Sequence, residues 1–401
     1  MNGSSSGMGN KAKSIFRLIR KQQKVSKQHL LEQCEIPVST LTRILEELTA
    51  QGWIRETGLG ESTGGRRPIL YEVNPEYGYL FGLEISRLYA RLVLCDLQTN
   101  KLAERSWSMT REATPQYVMD RAANEVESLL REGNISLSAV LGLGIGAVGP
   151  VDRERGMILQ PRHFLAPGWE NVEICRLLHE KLGIPVVLDN GANTAIRGEY
   201  WADSAKEFKH LLYIHGGMGL RSAVMSAGKV VYGAVDMEGA VGQMIIQTDG
   251  RPHRESGGNY GSLESYTAIH ALEKEASAKL KQGRDSLLLA LAGSPEQVSF
   301  AHLVRALQQQ DPMTVEIFAQ AATYFGIGLA NLLNILHPEK VILGGPLITA
   351  HDLFFQTSTR VAVQKAYYYP EYQVIFSRGM LGEDAIALGA AIMIIDSLTE
   401  E

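Results

Sequence analysis

The sequence predicts an α/β protein with a small N-terminal head and a two-lobed body of alternating strands and helices. Three observations predict it. Residues 9–75 hold three runs with apolar residues at helical spacing, then two β-rich runs around a Gly- and Arg-rich turn. Residues 76–109 hold three β-rich runs parted by turn residues, the pattern of an antiparallel meander. Beyond about residue 115 helical and β runs alternate, and the alternation restarts near Leu211.

The chain has 401 residues, of which 45% are hydrophobic and 21% charged, as in an ordinary soluble globular protein with two or three cores. No apolar run is long enough to span a bilayer, so no membrane partner is expected. The start, Met1-Asn2-Gly3-Ser4-Ser5-Ser6-Gly7-Met8, lacks the apolar centre of a signal peptide. Residues 1–8 read as an expression remnant, with Met8 as a native start, and are set aside. Cys34, Cys95 and Cys175 lie far apart, with no metal spacing and no disulfide framework, which suits a reducing cytoplasm. Residues 1–75 carry eleven basic and seven acidic residues, a net +4, against −9 for the remainder. A basic head on an acidic body suits polyanion binding by the head, although the excess is modest.

In the head, Ile15, Phe16, Leu18 and Ile19 mark a first helix over Lys11–Gln22. Ser26 is an N-cap for a second, running to about Cys34. Ser39 opens a third, with Leu41, Ile44, Leu45 and Leu48 as its buried stripe and Gly52 just past its end. Trp53-Ile54-Arg55 and Ile69–Val73 are strands, joined by a tip containing Gly64-Gly65-Arg66-Arg67-Pro68. That order is a winged helix-turn-helix. The third helix exposes Ser39, Thr40, Thr42 and Arg43 near its N-terminus, where short polar groups reach base edges and phosphates. Lys27 at the start of the second helix, with Arg66 and Arg67 at the tip, completes the expected DNA-contacting set. A helical module for protein contact is the competing reading.

In the body, strands are expected at Tyr79–Ile85, Ala90–Asp96 and Lys101–Met109, then a helix over Pro115–Arg131 and a strand over Val140–Gly146. A helix over Ile174–Leu182 and a strand over Pro185–Leu188 follow. The second half has strands at Leu211–His215, Ala223–Ala227 and Lys340–Leu343, and helices at about Ser262–Leu280 and Met313–Leu336. The last helix, about Glu383–Leu398, is expected to pack back on the first lobe. The resulting domains are 9–75, then 76–190 with 380–401, then 191–379, with a cleft between the two lobes.

Several segments together carry a resemblance. They are Leu143-Gly144-Ile145-Gly146-Ala147-Val148-Gly149-Pro150-Val151-Asp152; Leu188-Asp189-Asn190-Gly191-Ala192-Asn193 with Gly198-Glu199-Tyr200-Trp201; Gly239-Ala240-Val241-Gly242-Gln243-Met244; Gly261-Ser262-Leu263-Glu264; and Ala330-Asn331-Leu332-Leu333-Asn334 with the run from His337 to Gly345. The chain resembles the ROK family of repressors and sugar kinases, over essentially the whole body, and the head is similar to that of its repressor branch. The resemblance implies an actin-like, ribonuclease-H-like fold for the body.

The departures from the kinase pattern decide the chemistry. The family kinases take the proton of the attacking sugar hydroxyl with an Asp, and Gly191 stands in its place. Their first phosphate loop, Asp-x-Gly-Gly-Thr, is Glu84-Ile85-Ser86-Arg87 here; their second reads Gly217-Met218-Gly219-Leu220-Arg221. The family's zinc histidine is Gln243, and residues 250–262 hold no cysteine, so neither metal nor other cofactor is expected. His253 and Glu255 alone fall short of a tetrahedral set. Asn190 and Glu264 match residues that the family uses on sugar hydroxyls, Gln243 replaces a third, and Ala240 replaces a Glu. Trp169 in a loop is either a sugar-stacking platform or plain packing, Trp201 is core, and His163 is a solvated loop residue.

The resemblance and its departures therefore imply a DNA-binding repressor rather than an enzyme, with no catalytic residue. Its partners would be operator DNA, a sugar or sugar-derivative effector and a second copy of the chain in a homodimer or tetramer. The rival readings are a carbohydrate kinase with an appended head and a regulator titrated by a protein partner.

Overall fold

The computed structural model describes residues 8–60, 67–203, 208–367 and 370–399. It divides into two compact units, one of residues 1–207 with 384–401 and one of residues 208–383.

The first unit opens with α1 (Asn10–Gln22), β1 (Val25–Ser26), α2 (Lys27–Gln33), α3 (Val38–Ala50), β2 (Ile54–Leu59) and β3 (Ile69–Val73). Helix α1 buries Ile15, Phe16 and Ile19, and α3 buries Leu41, Ile44, Leu45 and Leu48, the stripe its spacing predicts. The Ser26 hydroxyl caps α2 by accepting from the His29 N–H at 3.2 Å. Helix α3 starts at Val38, one residue earlier than expected, because Pro37 takes the extended N-cap position. Gly52 follows α3 at φ +85°, a left-handed stop that suits glycine. The strands form an antiparallel sheet in the order β1-β3-β2. The strand expected at Trp53–Arg55 runs instead over Ile54–Leu59, and residues 61–66, Arg66 of the tip among them, lie outside the described residues.

The same unit continues with β4 (Tyr79–Ile85), β5 (Tyr89–Asp96), β6 (Lys101–Ser108), α4 (Pro115–Glu132), β7 (Val140–Ala147), a small ribbon β8 (Val151–Asp152) and β9 (Met157–Ile158), α5 (Ile174–Leu182), β10 (Val186–Asn190) and α6 (Gly191–Ala202). Its sheet has the order β10-β7-β4-β5-β6, with β4, β7 and β10 parallel and the β4-β5-β6 meander antiparallel. The second unit repeats this plan. Strands β11 (Leu211–Gly216), β12 (Leu220–Ser226), β13 (Lys229–Val230), β14 (Lys340–Gly344) and β15 (Ile375–Ser377) run in the order β13-β12-β11-β14-β15. Between β13 and β14 come α7 (Glu264–Thr267), α8 (Ile269–Lys281), α9 (Leu287–Ala292), α10 (Phe300–Gln308) and α11 (Pro312–Leu336); α12 (Pro346–Thr349) and α13 (Asp352–Lys365) precede β15.

The helix expected over Ser262–Leu280 is two helices. Ala268 between them is extended, and the Ile269 N–H donates to Gly217 O at 3.0 Å instead of continuing the helical ladder. The lobe boundary expected at 190/191 falls at the start of α6. That helix packs on the last helix, α14 (Ala385–Thr399), and so stays in the first unit.

Strand alternation in the first sheet separates two faces. Phe81, Leu83 and Ile85 of β4, with Leu143 and Ile145 of β7, share a core with α4 and α5. Their neighbours Gly82 and Gly144 are register partners and face α14. A Cβ on Gly82 would lie 1.9 Å from Ala387 O, and one on Gly144 would lie 1.8 Å from Ala390 O. On the far side of α14, a Cβ on Gly389 would lie 1.7 Å from Thr194 O of α6. Sheet, α14 and α6 thus meet backbone to backbone.

Gly144→Ala is expected to force α14 off the sheet and to destabilise the protein by about 1–3 kcal/mol or more. Differential scanning calorimetry of the full chain checks it, with Gly257→Ala, whose Cβ meets nothing within 4 Å, as the neutral control.

Candidate functional site

In the first unit the candidate residues sit where β10 turns into α6. Asn190 is the N-cap: its Oδ1 accepts from the Asn193 N–H at 2.8 Å. Gly191 is the first residue of the helix and is buried. The neighbouring carboxylate, Asp189, is also buried, and its Oδ1 accepts from the Asn190 N–H at 2.8 Å and from Asn193 Nδ2 at 2.9 Å. These bonds hold the Asp189 carboxylate to the turn. At the β4–β5 turn the Ser86 N–H and hydroxyl both donate to Tyr89 O, at 3.0 and 2.8 Å, and the Tyr89 hydroxyl donates to Glu84 Oε1 at 3.1 Å. The segment Glu84–Arg87 is a closed hairpin rather than a bare backbone cradle.

The second unit gathers a different cluster. Glu264, at the start of α7, accepts from the Leu220 N–H at 2.8 Å through Oε2, and so holds the β11–β12 turn. A Cβ on Gly242 would come within 2.7 Å of that oxygen, so a side chain at 242 would displace the Glu264 carboxylate. Gln243 ends a 3₁₀ turn over Glu238–Gln243 that also carries Ala240. Its Oε1 accepts from the Asn259 N–H and its carbonyl accepts from Asn259 Nδ2, both at 3.0 Å. Its Nε2 lies 2.9 Å from His253 Nε2, which in turn is 3.4 Å from Glu264 Oε1. The loop 250–262 is closed by further hydrogen bonds: the Arg251 N–H donates to the Tyr266 hydroxyl, which donates to Gln247 Oε1, each at 2.7 Å. Among the described residues no group of three or more His, Cys, Asp or Glu could hold a metal ion.

In the head, Ser39 and Arg43 are exposed along α3, and Thr40 and Thr42 are half-buried. Arg43 pairs with Glu47 one turn on, at 3.7 Å. The Thr42 hydroxyl donates to Val38 O at 2.7 Å and accepts from Lys27 Nζ at 2.5 Å, so these two expected contact residues bind each other. Arg67 is exposed beside the tip. Val38, which the sequence reading left out, is 56% exposed at the first position of α3.

A family model described as the ROK family matches residues 80–397. The chain belongs to the ROK family. It is 26% identical over 386 residues to the xylose repressor of Caldicellulosiruptor bescii (strain ATCC BAA-1888 / DSM 6725 / KCTC 15123 / Z-1320), covering 96% of this chain and 95% of that one. The crystal structure of a ROK family transcriptional regulator, a homologue of the E. coli MLC protein, superposes with a TM-score of 0.80 at 22% identity, over 97% of this chain and 96% of that one. A ROK family glucokinase from Streptomyces griseus, in complex with glucose and AMPPNP, superposes at 0.66 with 23% identity, over 79% of this chain and 99% of that one. The regulator match thus takes in nearly the whole chain, and the glucokinase match about four fifths of it. No helix among the described residues is long and apolar enough to cross a membrane.

Against the ROK kinase pattern, the structure brings Gln243 and Glu264 together and adds His253 to them. It places Asn190 at a helix cap in the other unit. Sequence reasoning undervalued His253, which is only 2% exposed at its side chain, because its partners lie 10 and 11 residues away on other elements. It also missed Glu238, a buried acid 4.0 Å from Arg221. Trp169 is a packing residue: its Nε1 donates to Ala113 O at 3.0 Å and its ring stacks on Phe164. Trp201 is not core. It is half-buried, and the Arg20 guanidinium of α1 lies over its ring at 3.9 Å.

Arg20 also defines how this ROK protein ties its head to its body. Asp396 of α14 accepts from Arg20 at 3.4 Å and from Arg197 of α6, and Arg17 donates to Thr399 O at 3.2 Å. Burial pushes the Arg20 guanidinium down to about 10, while the Asp396 carboxylate pulls the other way, so the side chain stays charged near neutrality. Asp396→Ala strands two nearly buried guanidinium groups. Its expected cost is on the order of 3–5 kcal/mol, with the head released first. Limited proteolysis near residues 67–78 and a lowered unfolding midpoint check it.

Proposed function

We propose that the protein is a sugar-responsive transcriptional repressor whose kinase-type body recognises a carbohydrate without phosphorylating it. The observation that carries this reading is Gly191 at the start of α6, where the family's kinases carry the catalytic Asp. Glycine offers no group to take the hydroxyl proton. Asp189 next to it is tied into the turn, and the Glu84–Arg87 hairpin is closed by its own bonds. The similarity to a xylose repressor and to a ROK transcriptional regulator supports the same reading.

Asn190, Gln243 and Glu264 are proposed as the effector-binding residues, and the effector as a neutral sugar or sugar derivative. Amides and carboxylates suit hydroxyl groups because each hydroxyl donates and accepts. The two lost carboxylates, at Ala240 and Gly191, leave space and remove acceptors, which favours a sugar other than the kinases' own.

The head is proposed as a winged helix-turn-helix, with α3 in the major groove. Ser39, Arg43 and Val38 are its exposed candidates for base edges and thymine methyl groups; Thr40 stands beside them. Lys27 and Thr42, already joined to each other, are proposed as phosphate contacts, and Arg67 with Arg66 as wing contacts. A palindromic operator requires two heads, hence a dimer or larger oligomer. Control would run along α6, from the Asn190 cap to the Arg197, Trp201 and Arg20 joint.

Binding-site selection from random DNA, followed by fluorescence anisotropy, tests the repressor reading. Two inverted half-sites are expected, and Arg43→Ala is expected to cost about 1–3 kcal/mol on the selected site with little change on random DNA. A coupled ATP assay over D-xylose, D-glucose and N-acetyl-D-glucosamine is expected to show no sugar-dependent turnover; turnover would establish the kinase reading instead.

A further inference from the structure

The cluster in the second unit has one hydrogen-bond donor too many. The Glu255 N–H donates to His253 Nδ1 at 3.1 Å, so Nδ1 is the acceptor of the ring and the single proton of a neutral imidazole sits on Nε2. Doubly protonated, the ring would turn an N–H on the Glu255 N–H. Nε2 faces the Gln243 amide at 2.9 Å. That amide gives its oxygen to the Asn259 N–H, so its NH₂ points at the His253 N–H, donor against donor. Rotating the amide moves the conflict without removing it, since its NH₂ would then face the Asn259 N–H. Either orientation of the amide leaves one donor facing another. Glu264 Oε1 is 3.4 Å from Nε2, too far to absorb the surplus well. The ring cannot swing away: its side chain is 2% exposed, and a Cβ on Gly258 would lie 2.1 Å from Nδ1.

We infer that His253 is a specificity-determining residue of the effector site, presenting Nε2–H beside the Gln243 amide as a paired donor for one hydroxyl oxygen of the ligand. A hydroxyl completes the set. Its oxygen accepts from both N–H groups, and its hydrogen goes to the Glu264 carboxylate. The same carboxylate repels an anion, so the site takes a neutral polyol rather than a sugar phosphate. This inference rests on the sugar-effector reading of Gln243 and Glu264.

The test uses the full-length protein. In a sample labelled with ¹⁵N only at histidine, long-range ¹⁵N–¹H spectra without sugar are expected to give His253, assigned by its loss in His253→Gln, as the Nε2–H tautomer. Calorimetry then measures D-xylose, D-glucose, N-acetyl-D-glucosamine and D-glucose 6-phosphate. His253→Ala is expected to weaken the best neutral sugar about tenfold or more. His253→Gln, which restores an N–H near the Nε2 position, is expected to recover most of that loss; His253→Asn, which mimics only the Nδ1 side, is not. Gly258→Ala, which displaces the ring without removing it, is expected to behave like His253→Ala. An Nδ1–H tautomer, or equal sugar affinity in wild type and His253→Ala, overturns the inference alone. Failure of the wild type to bind any of the sugars overturns the effector reading, and this inference with it.

Discussion

The first unit depends on its last helix. α14 lies between the parallel pair β4–β7 and helix α6, and it fits because glycines remove the side chains from both contacts. Gly82 and Gly144 lie opposite each other in the sheet, so the gap runs across two strands rather than marking a single point. Close approach of this kind gains dispersion contacts over a whole backbone surface, and interiors packed at such density have no slack for an added methyl. The same helix carries Asp396 on its last turn. Residues of this one helix therefore cover the sheet and also receive Arg20 from the first helix of the chain. A displacement of α14 cannot be confined to the body, because the head's buried arginine is paired to it.

That joint changes what α6 means. The helix begins at the Asn190 cap and, two to three turns later, presents Arg197 to Asp396 and Trp201 to Arg20. Twelve residues of helix span roughly 18 Å, with no loop to absorb motion between its ends. The Asn190 turn and the first helix are thus linked by rigid secondary structure and charged contacts, and this continuity is visible only once the chain is folded.

Local chemistry was legible in the sequence and distant pairing was not. The stripe Leu41, Ile44, Leu45, Leu48, the Ser26 cap, the Gly52 stop and the β4-β5-β6 meander are set by neighbours a few residues apart, and each is present. The break at Ala268 was invisible because its cause is Gly217 O, in the distant turn between β11 and β12. Trp201 reads as core by composition and becomes a platform only because Arg20, 181 residues away, lands on it. Lys27 and Thr42 both read as DNA contacts, and the sequence gives no hint that they bond to each other. Gln243 and Glu264 were readable through the family resemblance. His253 was not, because its weight comes from the donor count of a folded loop. Arg66 lies outside the described residues, so that expectation stands as a proposal.

The candidate residues share one property that bears on regulation: each already has a structural bond. Asn190 caps α6, Glu264 holds Leu220, and Gln243 holds Asn259. A ligand that shares these groups must compete with the fold for them. Drawing the Asn190 oxygen away from its cap would cost about 0.5–2 kcal/mol of helix stability, and that cost falls on the helix whose other end meets the head. A ligand shifts an equilibrium only by its differential affinity for the two states. Here the difference is built in, because the state with α6 fully capped is the state in which Asn190 has least to offer a ligand. A kinase gains little from such competition, since it needs its substrate held in one fixed geometry for transfer. A regulator needs the fold to respond; under the repressor reading proposed above, Gly191 offers no carboxylate for transfer while Asn190 keeps its place at the cap.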